Sequence, residues 1–145
     1  MTVQLWNEQP KHVPLNDTVN VATIGTSMLS IRANTFPATV GSVKFGFDGN
    51  ANYHTENAAP YALEGDDQAG DYYAWVATVG AHSITATPYS EASAGGTAGT
   101  PLTVGFTVVD DSGTYTLTVN SGTGGGDYTA GTVVDIEADA PGAGQ

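Results

Sequence analysis

Residues 101 to 109 read "PLTVGFTVV", and this order decides the fold class. Leu102, Val104, Phe106 and Val108 alternate with Thr103, Gly105 and Thr107. A β-strand turns successive side chains to opposite faces, so the pattern describes a strand with one dry face and one wet face. The same period of two runs through "HSITATPYS" (82–90), where Ile84 and Ala86 alternate with Ser83, Thr85 and Thr87. It recurs in "SVKFGFD" (42–48) at Val43, Phe45 and Phe47, and in "LSIRA" (29–33) at Leu29, Ile31 and Ala33. Clean alternation belongs to antiparallel sheets, because strands of parallel sheets are buried on both faces.

Between these strands lie turn-formers: "DGNAN" (48–52), "EGDD" (64–67), "AGGTAGTP" (94–101) and "DDSG" (110–113). No stretch carries a sustained helical period. Short alternating strands with frequent turns predict an all-β chain, an antiparallel two-sheet sandwich of the immunoglobulin-like or fibronectin-like kind, with a barrel as the alternative. A boundary is expected at "VDDSG" (109–113), dividing the chain into a sandwich over 1–109 and a tail over 110–145. In the tail, one strand would turn Tyr115, Leu117 and Val119 inward. A second, after a glycine-rich turn, would do so with Val134, Ile136 and Ala138. Two strands do not make an independent domain.

The 145 residues carry three Lys plus Arg against fifteen Asp plus Glu, a formal charge of −12. Such a surface repels phosphate backbones and anionic lipid, which argues against nucleic-acid and membrane partners. There is no cysteine, which removes thiol nucleophiles, thiolate metal sites and disulfide frameworks. No apolar run approaches the roughly 20 residues that span a bilayer. The first residues lack a basic stretch followed by an apolar one, so an exported protein would be represented here by a processed piece.

Several long words in order carry a resemblance. "TENAAPYALEGD", "GDYYAW", "TATPYS" and "GTAGTPLT", with "LSIRANTFPATVGSV" upstream, cover roughly 27–109. Together they resemble a non-catalytic Ig-like β-sandwich module of secreted bacterial glycoside hydrolases, polysaccharide lyases and multidomain surface proteins, many of them marine. The tail "YTLTVNSGTGGGDYTAGTVVDIEADAPGAGQ" is similar to the opening of an internalin-type B repeat, cut before its aromatic-rich end. The resemblance implies an extracellular, modular parent, to which this chain is covalently joined, acting on a polysaccharide such as agar or porphyran. A structural spacer or adhesin module without a sugar ligand is the alternative it implies.

A sugar site needs exposed rings to stack on pyranose C–H faces, flanked by planar polar groups. The stretch 66–75 is dense in both: Asp66, Asp67 and Asp71 with Tyr72, Tyr73 and Trp75. Tyr53 and His54 after "DGNAN" form a second cluster, outside the words shared with the module, and Trp6 with Lys11 and His12 a third. Alternation puts Tyr73 and Trp75 on one side and Tyr72 on the other, so Trp75 is expected in the core, Tyr73 with it, and Tyr72 in solvent. Arg32 is read in two ways: an ion pair with Asp66 or Asp71, or a bidentate grip on a sulfate, carboxylate or diol.

Acids at Asp48, Glu56, Glu64, Asp66, Asp67 and Asp71 raise the question of a hydrolytic carboxylate pair. Their turn-like settings favour caps and bends instead, and the chain is expected to have no catalytic activity. His12, His54 and His82 lack metal-ligand spacing. No cofactor is expected, although Asp48, Asn50, Asp66 and Asp71 place oxygens at spacings that calcium could use without matching a twelve-residue calcium loop.

Overall fold

The computed structural model describes residues 1–6, 13–14, 18–69 and 71–142. The chain divides into two compact units, Met1–Asp110 and Asp111–Gln145. In the first, the strands are β1 (Thr2–Trp6), β2 (Val13–Pro14), β3 (Thr18–Asn20), β4 (Met28–Asn34), β5 (Ser42–Phe47) and β6 (Asn50–Glu56). They continue as β7 (Tyr61–Ala62), β8 (Trp75–Val76), β9 (Gly80–Glu91), β10 (Gly95–Ala98) and β11 (Leu102–Val109). One turn of helix, α1 (Val21–Ile24), interrupts the series; Asn20 Oδ1 caps it by accepting from the Ala22 N–H at 3.1 Å.

Two sheets form. One runs β2-β1-β4-β7, with β8 also on β4; the other runs β3-β11-β9-β5-β6, with β10 on β9. The alternating residues named above meet between them. Leu29, Ile31 and Ala33 from one sheet and Val43, Phe45, Ile84, Ala86, Phe106 and Val108 from the other are buried in one cluster. This is the all-β sandwich that the alternation predicts. Among the described strands it departs from a purely antiparallel plan where β3 pairs in parallel with β11 through Val19 and Val108. That pairing joins residues some ninety positions apart, beyond the reach of any local pattern.

The β5–β6 hairpin turns on Asp48 and Gly49, both at positive φ (45° and 84°). Asp-Gly suits such a two-residue turn because its twist matches the flanking strands and glycine carries no Cβ. The hairpin has a consequence for the sequence reading: "NANYHTEN" is largely strand β6, at the edge of its sheet, rather than a loop. Few of its side chains are apolar and none is fully buried, so the period-two signal is absent.

The second unit holds β12 (Thr114–Leu117), β13 (Gly122–Thr123), β14 (Gly126–Thr129) and β15 (Glu137–Ala138). β12 pairs with β14 and β13 with β15. The inward faces expected there do not form: Tyr115, Leu117, Ile136 and Ala138 are exposed, Val119 and Val134 only half-buried, and Val134 lies outside any strand. Two-stranded ribbons of this length have too little surface to enclose a core.

Candidate functional site

The segment after β7 folds back on itself. The Gly65 N–H donates to the Ala62 carbonyl at 3.2 Å, the Tyr73 N–H to the Gly65 carbonyl at 3.0 Å, and the Asp67 N–H to the Asp71 carbonyl at 3.0 Å. Asp66 and Tyr72 face each other across a single antiparallel bridge. The acids of this loop hold its backbone, as Asp does in turns. Asp66 Oδ1 accepts from the Gln68 N–H at 2.6 Å, and Asp67 Oδ1 accepts from the N–H groups of Ala69 and Asp71.

This folded loop stands against edge strand β6 and brings the two central sequence clusters together. Tyr53 donates a 2.5 Å hydrogen bond to Glu64 Oε1 and rests its ring on Phe47, centroids 5.3 Å apart. The hydrogen bond to Glu64, burial, and the charges of Glu64 and Asp48 push the Tyr53 phenol up to about 12. A register shift in the β5–β6 pairing lets Tyr53 meet Phe47 although its neighbour His54 lies opposite Phe45. His54 Nε2 stands 3.5 Å from Glu56 Oε2.

Gly65, at φ +81°, forms the floor between strand and loop. A Cβ there would lie 3.4 Å from Glu56 Oε2, 3.6 Å from Tyr73 Cδ2 and 3.8 Å from His54 Nε2. An imidazole, a carboxylate and a phenol therefore converge over one glycine. Tyr73 is 56% exposed and Tyr53 37% exposed, so two aromatic residues face solvent beside Glu56, Glu64 and His54. A chain of sugar rings can stack on such faces while the polar groups take its hydroxyls. Glu56 and Glu64 are components that the sequence reading named only as acids; the Asp-Gly turn signals the β5–β6 hairpin, while the approach of the loop to β6 has no local signal.

Three expectations are corrected. Tyr73 does not share the fate of Trp75. Residues 73 and 74 leave the strand geometry, and Tyr73 turns outward while Trp75 is 7% exposed. Tyr72 is half-buried rather than free in solvent, and its hydroxyl accepts from Arg32 Nη1 at 2.9 Å. Arg32 ties strand β4 to the loop through that hydroxyl, and among the described residues no ion pair joins it to Asp66 or Asp71. Asp66 Oδ1 accepts from the Gln68 N–H instead, and Asp71 is exposed.

Trp75 is core, as expected. Its ring packs edge-on against Phe47, His82 and Phe106, at centroid distances of 5.3, 5.2 and 5.9 Å. Trp6 pairs with Ser30 along β1 and β4; its side chain, with Lys11 and His12, lies outside the described residues. The calcium candidates make protein contacts. Asp48 Oδ1 accepts from the Ser83 N–H at 2.8 Å, its Oδ2 is 2.7 Å from His82 Nδ1, and Asn50 Oδ1 accepts from the Asn52 N–H at 3.1 Å. Among the described residues no three His, Asp or Glu side chains gather in a way that could hold a metal ion.

No protein-family model, curated protein or solved structure matches this chain.

Proposed function

We propose that the unit Met1–Asp110 is a non-catalytic carbohydrate-binding module of a secreted bacterial polysaccharide-active protein, with an algal galactan such as agar or porphyran as its target. The single observation that carries the reading is the exposed Tyr73 ring set beside His54 and Glu56 over Gly65. Aromatic faces distinguish sugar from water, because hydroxyl hydrogen bonds largely exchange for hydrogen bonds to solvent. The module resemblance of 27–109 supports the extracellular, polysaccharide-associated setting. The non-catalytic part of the reading rests on the acids, several of which hold turns or ring nitrogens.

Affinity electrophoresis of the whole chain through agarose, porphyran, carrageenan, alginate, laminarin and cellulose tests this. Retardation on a galactan, weakened by Tyr73→Ala and His54→Ala, is expected. Migration unaffected by every polysaccharide would favour the spacer reading.

A further inference from the structure

The outward face of the six-stranded sheet carries a second surface, unrelated to the sequence clusters. Along β5 and β9 the residues alternate with the buried Val43, Phe45, Ile84 and Ala86, so Lys44, Gly46, Ser83, Thr85, Thr87 and Tyr89 look away from the core. They line an open groove of about 440 Å³. From Ser83 to Tyr89 it follows β9 for roughly 20 Å at the usual rise of a strand. Its floor is small and polar: Gly46 lies opposite Thr85, and Thr85 Oγ1 is 2.8 Å from Thr103 Oγ1 on β11. Tyr89 also borders a second hollow of about 570 Å³, which ends at Phe36. Phe36 is 96% exposed.

The charge of this track is opposite to that of the chain. The protein carries −12, yet no aspartate or glutamate is found among the described residues lining either hollow. The groove does contain a cation, Lys44, and among the described residues no carboxylate pairs with it. Lys44 is half-buried, and its cross-strand neighbours are Thr55 and Thr87. An ammonium on a strand flanked by threonines offers three donors spread in three dimensions. That suits a tetrahedral oxyanion, whereas a planar carboxylate is matched best by the flat fork of an arginine.

We infer that this groove binds a sulfated polysaccharide chain, with a sulfate ester at Lys44 and sugar rings against Tyr89 and Phe36. The inference rests on the reading of this unit as a polysaccharide-binding module, and adds a ligand class and a surface separate from Tyr73 and His54. A single fixed cation in an acidic protein makes the contact selective, because a polyanion is repelled wherever that pairing is absent.

The test compares a sulfated galactan with the same galactan after chemical desulfation, by affinity electrophoresis and calorimetry on the whole chain. The sulfated form is expected to bind more tightly. Lys44→Gln should weaken that binding about tenfold, the loss of one charge-assisted contact, while leaving the melting temperature unchanged and lowering the affinity for desulfated galactan far less. Lys44→Arg should retain part of the preference, and Tyr89→Ala and Phe36→Ala should weaken both forms. Equal affinity for the two galactans, or a Lys44→Gln variant that binds the sulfated form like the parent, overturns the groove assignment. If Tyr73→Ala still lowers affinity in that event, the polysaccharide-binding reading stands without it; binding to neither galactan nor any other polysaccharide overturns both.

Discussion

Tyr53 and Glu64, eleven residues apart in the chain, are joined by a 2.5 Å hydrogen bond that fastens edge strand β6 to the loop carrying Tyr73. The bond requires a protonated phenol, and its pH dependence follows. In the unfolded chain tyrosine ionises near 10, whereas in the folded chain Tyr53 holds its proton to about 12. Between these values the unfolded chain has released a proton that the folded chain keeps, so raising the pH favours unfolding. The contribution is whole below pH 10 and is lost as the pH climbs through about 12. Urea midpoints of the parent should therefore fall more steeply over this window than those of Tyr53→Phe. Parallel curves for the two proteins would show that the bond does not contribute in solution.

Asp48 joins the β5–β6 turn to strand β9. It sits at the hairpin turn and reaches both the Ser83 N–H and the ring of His82. The His82 side chain is only 8% exposed, stacked on Phe47, with its other nitrogen donating to the Thr78 carbonyl at 2.8 Å. Asp48→Ala would leave a buried ring nitrogen and a backbone donor unsatisfied, and would put alanine at a positive φ that aspartate tolerates better. A loss of about 2–3 kcal/mol is expected in urea unfolding. Asp48→Asn should cost less, since asparagine tolerates that φ and keeps an acceptor for Ser83. Equal losses for the two variants would show that the carbonyl-type acceptor and the turn preference do not matter here.

How much of this was legible in the sequence depends on the range of the interaction. Val104 to Val108, Val43 to Phe47 and Leu29 to Ala33 signal their strands because burial on one face imposes a period of two on neighbouring residues. Strand β6 carries no such signal, since it lies at a sheet edge and none of its residues is fully buried. The outward turn of Tyr73 was hidden for a different reason: two residues leave strand geometry before Trp75, and alternation cannot be carried across such a break. The Arg32–Tyr72 and Asp48–His82 contacts join residues 40 and 34 positions apart. Composition shows that such groups exist, and only the folded chain shows which of them meet.

A chain ending at Asp110 should fold and bind as the full chain does. The strands β12 to β15 pair with one another in the described structure, and the core cluster draws on residues up to Val108. Thermal unfolding of the shortened chain should keep its cooperative transition within a few degrees. Failure to fold would show that the last 35 residues complete the sandwich, against the division into two units.

Tyr73 and Trp75 stand two residues apart and should separate recognition from stability. Tyr73 is 56% exposed, and the hydrogen bonds holding it in place are made by its backbone: the N–H donates to the Gly65 carbonyl and its own carbonyl accepts from Ser30 Oγ. Tyr73→Ala keeps those bonds and should change stability by less than about 0.5 kcal/mol. Removing a stacked ring from a binding surface commonly costs about 2 kcal/mol, which would lower polysaccharide affinity roughly thirtyfold. Trp75 is the opposite case, 7% exposed and ringed by Phe47, His82 and Phe106. Trp75→Ala should cost about 3–5 kcal/mol through the cavity it leaves, with affinity falling only in proportion to the unfolded fraction. Melting and affinity measured on both variants decide the matter. A Tyr73→Ala protein that binds polysaccharide as tightly as the parent, while remaining folded, would remove the loop from the recognition surface.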